Sequence, residues 1–85
     1  MSYNGYKNYE TWCVNLWLNN DEGSYRWLTE LLKNHKEDTA AAPVLSDEII
    51  DNNPLVDAAT MYHDILTAAL QEVDFLEIVR ANREA

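Results

Sequence analysis

Residues 54–73, PLVDAATMYHDILTAALQEV, carry the clearest helical pattern in the chain. Apolar side chains recur there at intervals of three and four residues and polar ones lie on the opposite face, as in an amphipathic helix. Asn53 suits the N-cap, and Pro54 suits the first helical position. The stretch therefore predicts one long helix, whose apolar stripe comprises Leu55, Ala58, Tyr62, Ile65, Leu66, Ala69 and Val73.

Similar spacing predicts helices on both sides of this stretch. They cover about residues 9–20, 21–35, 43–52 and 74–83. Asn8 is a suitable N-cap for the first, and Asp74 with Glu77 has the sequence pattern of a capping box for the last. The first helix is apolar almost all round, which predicts burial or contact with a second subunit.

The remaining segments lack helical periodicity. Residues 1–7 are expected to form an irregular arm that turns at Asn4-Gly5, and residues 37–43 to connect the two halves of the chain. We expect residues 1–85 to form one all-α domain, a compact bundle of four to five short helices. Its predicted core comprises Trp12, Leu16, Leu28, Leu31, Ile65, Leu66 and Ala69.

The composition argues against several classes of protein. The formal net charge of −9 disfavours direct binding to nucleic acid, because affinity for phosphates comes from Lys and Arg. It equally disfavours a membrane-surface protein, which needs a basic face. A single cysteine, Cys13, cannot form an internal disulfide, and the N-terminus has no apolar core of a signal peptide. We expect a cytoplasmic protein.

The sequence contains no pattern typical of a catalytic or metal site. His35 and His63 are the only histidines, neither belongs to an HExxH motif, and Cys13 has no cysteine partner. Cys13 lies on the apolar stripe of the first helix, where a small core residue is the simpler interpretation than a nucleophile. We expect the protein to have no enzymatic activity and to bind neither a metal ion nor a cofactor.

The distribution of charge is uneven. Between Glu37 and Val79 the chain has no Lys or Arg but ten carboxylates. Such a surface can simply keep a small protein in solution. It can also imitate the phosphates of nucleic acid and occupy the basic groove of a protein that binds nucleic acid. For this second interpretation the candidate residues are Asp47, Glu48, Asp51, Asp57 and Asp64.

Two further interpretations remain open. An exposed aromatic patch can anchor a protein interface, and its candidate residues are Tyr3, Tyr6 and Trp27. The nearly all-round apolar first helix also fits a homodimeric accessory protein. Binding through charge weakens with salt, whereas binding through aromatic residues does not depend on salt in this way.

Two segments resemble a known group of proteins. They are Asn8-Tyr9-Glu10-Thr11-Trp12 and Ala68-Ala69-Leu70-Gln71-Glu72-Val73-Asp74-Phe75, the latter followed by Glu77-Ile78. Both are similar to segments of small, largely uncharacterised proteins of phages, plasmids and other mobile elements, whose members often read N-R-E-T-W at the first segment. Tyr9 stands where arginine is usual in that family.

The resemblance implies no reaction but does imply a setting. Small acidic proteins of mobile elements often counter host defences, and anti-CRISPR proteins are among them. We therefore expect a non-enzymatic inhibitor in the host cytoplasm. Its partner would be a host protein or ribonucleoprotein complex with a basic groove, a CRISPR effector being the first candidate.

Overall fold

The chain folds into helices joined by short turns. A computed structural model describes residues 2–55 and 59–83, and these contain five helices and no extended strand. In chain order they are α1 (Tyr9–Asn20), α2 (Glu22–Asn34), α3 (Asp38–Asp51), α4 (Met61–Gln71) and α5 (Phe75–Arg83). The all-α class predicted from the sequence is confirmed. None of these helices is both long enough and apolar enough to span a bilayer.

Each of the first two helices begins after a residue whose side chain caps it. The Asn8 side chain accepts a hydrogen bond from the Thr11 backbone N–H at 2.9 Å, and Asp21 accepts one from the Ser24 N–H at 2.9 Å. Each bond satisfies a backbone donor that has no partner within the first helical turn. The bounds predicted for α1 and α2 are confirmed to within a residue.

Helix α3 begins earlier than the sequence pattern predicts. Residues 38–43 are its first turns rather than part of a connection, and Pro43 lies inside the helix. Alanine has the highest helix propensity, so Ala40, Ala41 and Ala42 favour the helical conformation before the proline. Ala41 and Ala42 are also buried in the core. These contributions offset the hydrogen bond that Pro43 cannot donate.

Helix α4 begins later than predicted. Thr60 is its N-cap and accepts a hydrogen bond from the His63 N–H at 3.2 Å. The Asn53 side chain instead accepts from the Leu55 N–H at 2.8 Å, which makes a local turn at the point where the sequence predicts a helix start. Residues 56–58, including the predicted Asp57 and Ala58, lie outside the described residues.

The apolar stripe predicted for α4 is wrong in part. Tyr62 is 67% exposed and Ile65 is 60% exposed, while Leu66 and Ala69 are half-buried. Periodicity identifies an apolar face but does not establish that a neighbouring element covers it. Helix α4 contacts the other helices only sparsely and has no buried residue.

The core lies mainly between α2, α3 and α5. Its buried apolar residues are Leu18, Leu28, Leu31, Leu32, Ala41, Ala42, Leu45, Val73, Phe75, Ile78 and Val79. Leu28 and Leu31 were predicted and are confirmed, whereas Trp12 and Leu16 are only half-buried. Helix α3 packs along α5 more extensively than any other pair of helices, and this packing joins the middle of the chain to its end.

Candidate partner-binding surface

The C-terminal part of α3 carries three exposed carboxylates, Asp47, Glu48 and Asp51, which we call the acidic end of α3. Asp47 and Asp51 are one turn apart, and Glu48 and Asp51 are three residues apart, so the three lie close together on the helix. Ion pairs among the described residues involve only the carboxylates of Glu22 and Asp38. The charge of the acidic end is therefore not neutralised within the described fold.

This position is electrostatically unfavourable for anions. The C-terminal end of a helix carries partial negative charge. A carboxylate in the last turn therefore destabilises the helix by roughly 0.3–1 kcal/mol. Helix α3 has no basic residue in its last turn to balance the carboxylates. A cationic group supplied by another molecule would balance them.

Asp64, also predicted, has a different setting from the acidic end of α3. It is exposed in the first turn of α4, where an anion stabilises the helix dipole. Asp57 lies outside the described residues. Of the five predicted carboxylates, the structure thus brings Asp47, Glu48 and Asp51 together on one helix.

An open groove runs beside the acidic end. One part has a volume of about 410 Å³, the next has about 350 Å³, and both are bordered by Ser24 and Ile49. We call the two parts together the α1–α3 groove. Its lining residues are Cys13, Val14, Trp17, Leu18, Asp21, Ser24, Trp27, Glu48, Ile49 and Asn52. The floor is largely apolar, and the charged residues that line it, Asp21 and Glu48, are both acidic.

Trp27 lies at the edge of this groove. A further depression of about 210 Å³ is also bordered by Trp27, together with Val44 and Glu48, among others. Trp27 is half-buried and packs against the core. Because Glu48 borders both depressions beside Trp27, an acidic candidate and an aromatic candidate from the sequence adjoin at one surface. Sequence spacing could not indicate this, since the residues lie on different helices.

The three residues of the predicted aromatic patch make different contacts. The ring of Tyr3 contacts Tyr9 and Trp12, with ring centroids 5.2 and 5.0 Å away. The Tyr6 hydroxyl instead accepts a hydrogen bond from the Asn15 side chain at 2.8 Å. Among the described residues, no ring contact joins Tyr6 or Trp27 to Tyr3.

The turn at Asn4-Gly5 explains the position of Tyr3. Both residues have positive φ, 48° and 89°, as a tight turn between extended segments requires. Tyr3 and Tyr6 exchange two backbone hydrogen bonds of 2.6 and 2.8 Å across it. The turn predicted here is confirmed, and it folds the arm back onto α1.

Tyr9 and Cys13 interact along one side of α1. They are one helical turn apart, and a hydrogen bond with the Cys13 side chain raises the pKa of the Tyr9 hydroxyl above its ordinary value of 10.0. Cys13 is a free thiol, half-buried at the wall of the groove.

The two sequence motifs contact each other. The Asn8 side-chain amide donates to the Glu72 carbonyl at 2.7 Å, and the Asp74 backbone N–H donates to the Thr11 hydroxyl at 2.9 Å. In addition, the Lys7 N–H donates to the Glu77 carboxylate at 2.8 Å. We call this set of contacts the motif clasp. Its residues hold the start of α1 against the start of α5, which is a structural role.

Only one of the two hydrogen bonds of the capping box predicted at Asp74 forms. The Asp74 carboxylate accepts from the Glu77 N–H at 3.1 Å, as predicted. The return bond is absent, because the Asp74 N–H donates to Thr11 and the Glu77 carboxylate accepts from Lys7. Both partners thus serve the motif clasp as well as the local helix start.

The described residues were also compared with the geometry of a metal site. Within residues 2–55 and 59–83, no three His, Cys, Asp or Glu side chains come together as metal ligands. His63, one of the two histidines of the chain, has its Nε2 atom 3.5 Å from the Thr67 hydroxyl. The α1–α3 groove provides apolar contact in its floor and negative charge at its edge, a combination suited to binding.

Comparisons with known proteins place the chain in a family. No curated protein and no solved structure is significantly similar to the chain. Residues 1–76 match a family described as "Family of unknown function (DUF7249)", a range that includes Asn8, Thr11 and Asp74 of the motif clasp. The chain therefore belongs to the family of unknown function DUF7249.

Proposed function

We propose that this protein is a non-enzymatic inhibitor that binds a basic, nucleic-acid-handling partner through the acidic end of α3. The observation that carries the proposal is the exposure of Asp47, Glu48 and Asp51 with no ion-pair partner among the described residues. Following the resemblance to mobile-element proteins, the partner is a host complex in the cytoplasm, and a CRISPR effector is the first to test.

The charge of the chain supports this partner. A protein that binds nucleic acid concentrates Lys and Arg in its groove, and exposed carboxylates can occupy those cations in place of phosphates. The absence of Lys and Arg between Glu37 and Val79 leaves α3 and α4 without basic residues of their own. Binding to the partner then excludes its nucleic acid by competition.

The test is capture of the host complex with the purified protein, followed by measurement of the complex's binding to target DNA. The acidic end is neutralised in the variant Asp47→Asn/Glu48→Gln/Asp51→Asn. A matched control, Glu22→Gln/Glu37→Gln/Glu72→Gln, removes the same charge from exposed positions elsewhere. We expect the first variant to lose capture and inhibition and the control to keep both.

Salt provides a second readout of the same proposal. A complex formed by charge weakens steeply between about 50 and about 200 mM salt, because exposed charges are screened. The acidic-end variant should lose most of this salt dependence. Full inhibition by that variant, together with capture that does not respond to salt, would refute the proposal.

A second candidate function is self-association. Met61, Tyr62 and Ile65 expose large apolar surfaces on one side of α4, and exposed apolar patches mark protein interfaces. The net charge of −9 opposes the approach of two copies. Mass measured by light scattering over a hundredfold range of concentration distinguishes a monomer from a dimer, and Ile65→Ser should abolish a dimer formed through α4.

A further inference from the structure

We infer that the α1–α3 groove holds the apolar face of a basic amphipathic helix of the partner, while the acidic end of α3 binds that helix's Lys or Arg side chains. This inference rests on the proposed function and adds the form of the partner segment. It combines two features of this surface, the exposed carboxylates of α3 and the exposed side chain of Trp17.

The shape of the groove indicates two anchoring side chains. Its two parts meet at Ser24 and Ile49, one extending toward Trp17 and the other toward Trp27. Trp17 is 67% exposed, so a large apolar surface is available at the first part. An amphipathic helix presents apolar side chains at positions i and i+4 from the same face, and helices commonly bind in grooves of this kind.

The charges around the groove indicate a basic occupant. Asp21 and Glu48 line it, and Asp47 and Asp51 are exposed on the helix that carries Glu48. The carboxylate of Asp21 is partly engaged, because it accepts the Ser24 N–H at 2.9 Å. The acidic end thus provides the free charge, and cations that flank the apolar face of a bound helix can reach it.

A second copy of this chain does not fit these requirements. Helices α1, α3 and α4 contain no Lys or Arg. Arg26 of α2 pairs with Glu22, and Arg80 and Arg83 of α5 pair with Asp38. Among the described helices this leaves only Lys33 of α2 outside an ion pair, too few cations for a basic helix. Two copies, each with a formal net charge of −9, also repel each other. The occupant is therefore a helix of a different, basic protein.

The probe is a synthetic peptide of about 18 residues, roughly 27 Å long as a helix, with leucines along one face and arginines elsewhere. Two matched peptides separate the contributions: one replaces the arginines by glutamates, and the other replaces the leucines by serines. Binding is measured by isothermal titration calorimetry, and burial of tryptophan by a blue shift of its fluorescence. We expect the peptide that combines leucine and arginine to bind more tightly than either matched peptide by about tenfold or more.

Protein variants locate the binding. Trp17→Ser removes the exposed groove wall, and Tyr62→Ser on α4 is a matched control because both side chains are 67% exposed. We expect Trp17→Ser to weaken peptide binding by about tenfold and to abolish most of the fluorescence shift, with Tyr62→Ser close to the unsubstituted protein. Circular dichroism checks that each variant keeps its helical content.

Failure of the groove is distinguishable from failure of the proposed function. If the acidic-end variant loses the host complex but Trp17→Ser binds both that complex and the peptide normally, the groove is refuted and charge-led inhibition stands. If Trp17→Ser loses binding but the acidic-end variant does not, the groove binds an apolar segment without the proposed charge pairing, and the basic helix is refuted. If the leucine–arginine peptide binds no better than its two matched peptides, the inference is likewise wrong.

Discussion

The backbone N–H of Asp74 donates a 2.9 Å hydrogen bond to the hydroxyl of Thr11, and so joins the start of α5 to the first turn of α1. Thr11 is fully buried, and its hydroxyl in turn donates to the Asn8 side chain at 2.6 Å. One hydroxyl thus serves as acceptor and donor at the centre of the motif clasp. The contact thus joins the segments 8–12 and 68–75 into one structural unit.

Thr11→Val should destabilise the fold because it keeps the shape of the side chain but removes both hydrogen bonds. The Asp74 N–H is then left without an acceptor, which costs about 1–3 kcal/mol. Thr29→Val is the control, because its exposed hydroxyl only donates to the Tyr25 carbonyl at 2.9 Å. The free energy of unfolding is measured in urea, and equal losses in the two variants would contradict a structural role for the motif clasp.

Arg83 makes a second long-range connection and is the basis of another prediction. Its guanidinium donates to the Leu32 carbonyl at 2.9 Å, to the His35 carbonyl and to the Asp38 carboxylate. It therefore ties the end of α5 to the end of α2 and the start of α3. Arg83→Met should lower the free energy of unfolding by about 1.5–3 kcal/mol, the range for hydrogen bonds to charged groups.

Arg26→Met provides the comparison for Arg83. Arg26 pairs with Glu22 one turn away on the same helix, and both side chains are largely exposed. Exposed pairs of this type contribute about 0.3–0.5 kcal/mol. Thermal unfolding of the two variants should therefore show a much larger fall in Tm for Arg83→Met, and similar values would mean that the connection at Arg83 contributes little.

Local signals in the sequence predicted much of the fold. Asn8 and Asp74 satisfy backbone donors within three residues of themselves, so their capping roles depend on short-range geometry alone. Pro43 misled the prediction, because its cost to a helix is local whereas the packing of α3 against α5 that compensates for it is tertiary. Ile65 was placed in the core for a similar reason: the sequence shows that its helix face is apolar but not whether another helix packs against it, and the side chain is exposed.

The candidate surface could be predicted only in part. The density of carboxylates in the middle of the chain drew attention to Asp47, Glu48 and Asp51, and the structure places them on one exposed stretch of helix. The groove beside them could not be predicted, since Trp17 and Ile49 come from helices separated by α2 in the sequence. Only the packed fold puts apolar surface and negative charge side by side.

The placement of the core gives a direct comparison between α3 and α4. Leu45 is fully buried, so Leu45→Ala should lower the free energy of unfolding by about 2–5 kcal/mol. Ile65 is largely exposed, so Ile65→Ala should change it by less than about 0.5 kcal/mol. Urea titration of both variants tests this, and a loss at Ile65 as large as that at Leu45 would show that α4 is covered.

The last prediction concerns the acidic end of α3. Neutralising Asp47, Glu48 and Asp51 together should raise the free energy of unfolding, because it removes repulsion from the negative end of the helix dipole. The expected gain is about 0.3–1 kcal/mol for each charge in the last turn, those of Glu48 and Asp51, at low ionic strength, and added salt should reduce it. Asp64→Asn, in the first turn of α4, should have the opposite sign because there the carboxylate stabilises its helix.

This prediction separates binding from folding. If the three carboxylates stabilise the fold, neutralising them should lower both the free energy of unfolding and the binding. If they instead destabilise the helix end and bind a partner, neutralising them should raise the free energy of unfolding and abolish binding. Both quantities are measured on the same preparation of the Asp47→Asn/Glu48→Gln/Asp51→Asn variant. Urea titration gives the change in the free energy of unfolding, and capture of the host complex gives the change in binding. A fall in stability would mean that the acidic end makes a favourable contribution within the fold, and the electrostatic argument for a basic partner would no longer hold.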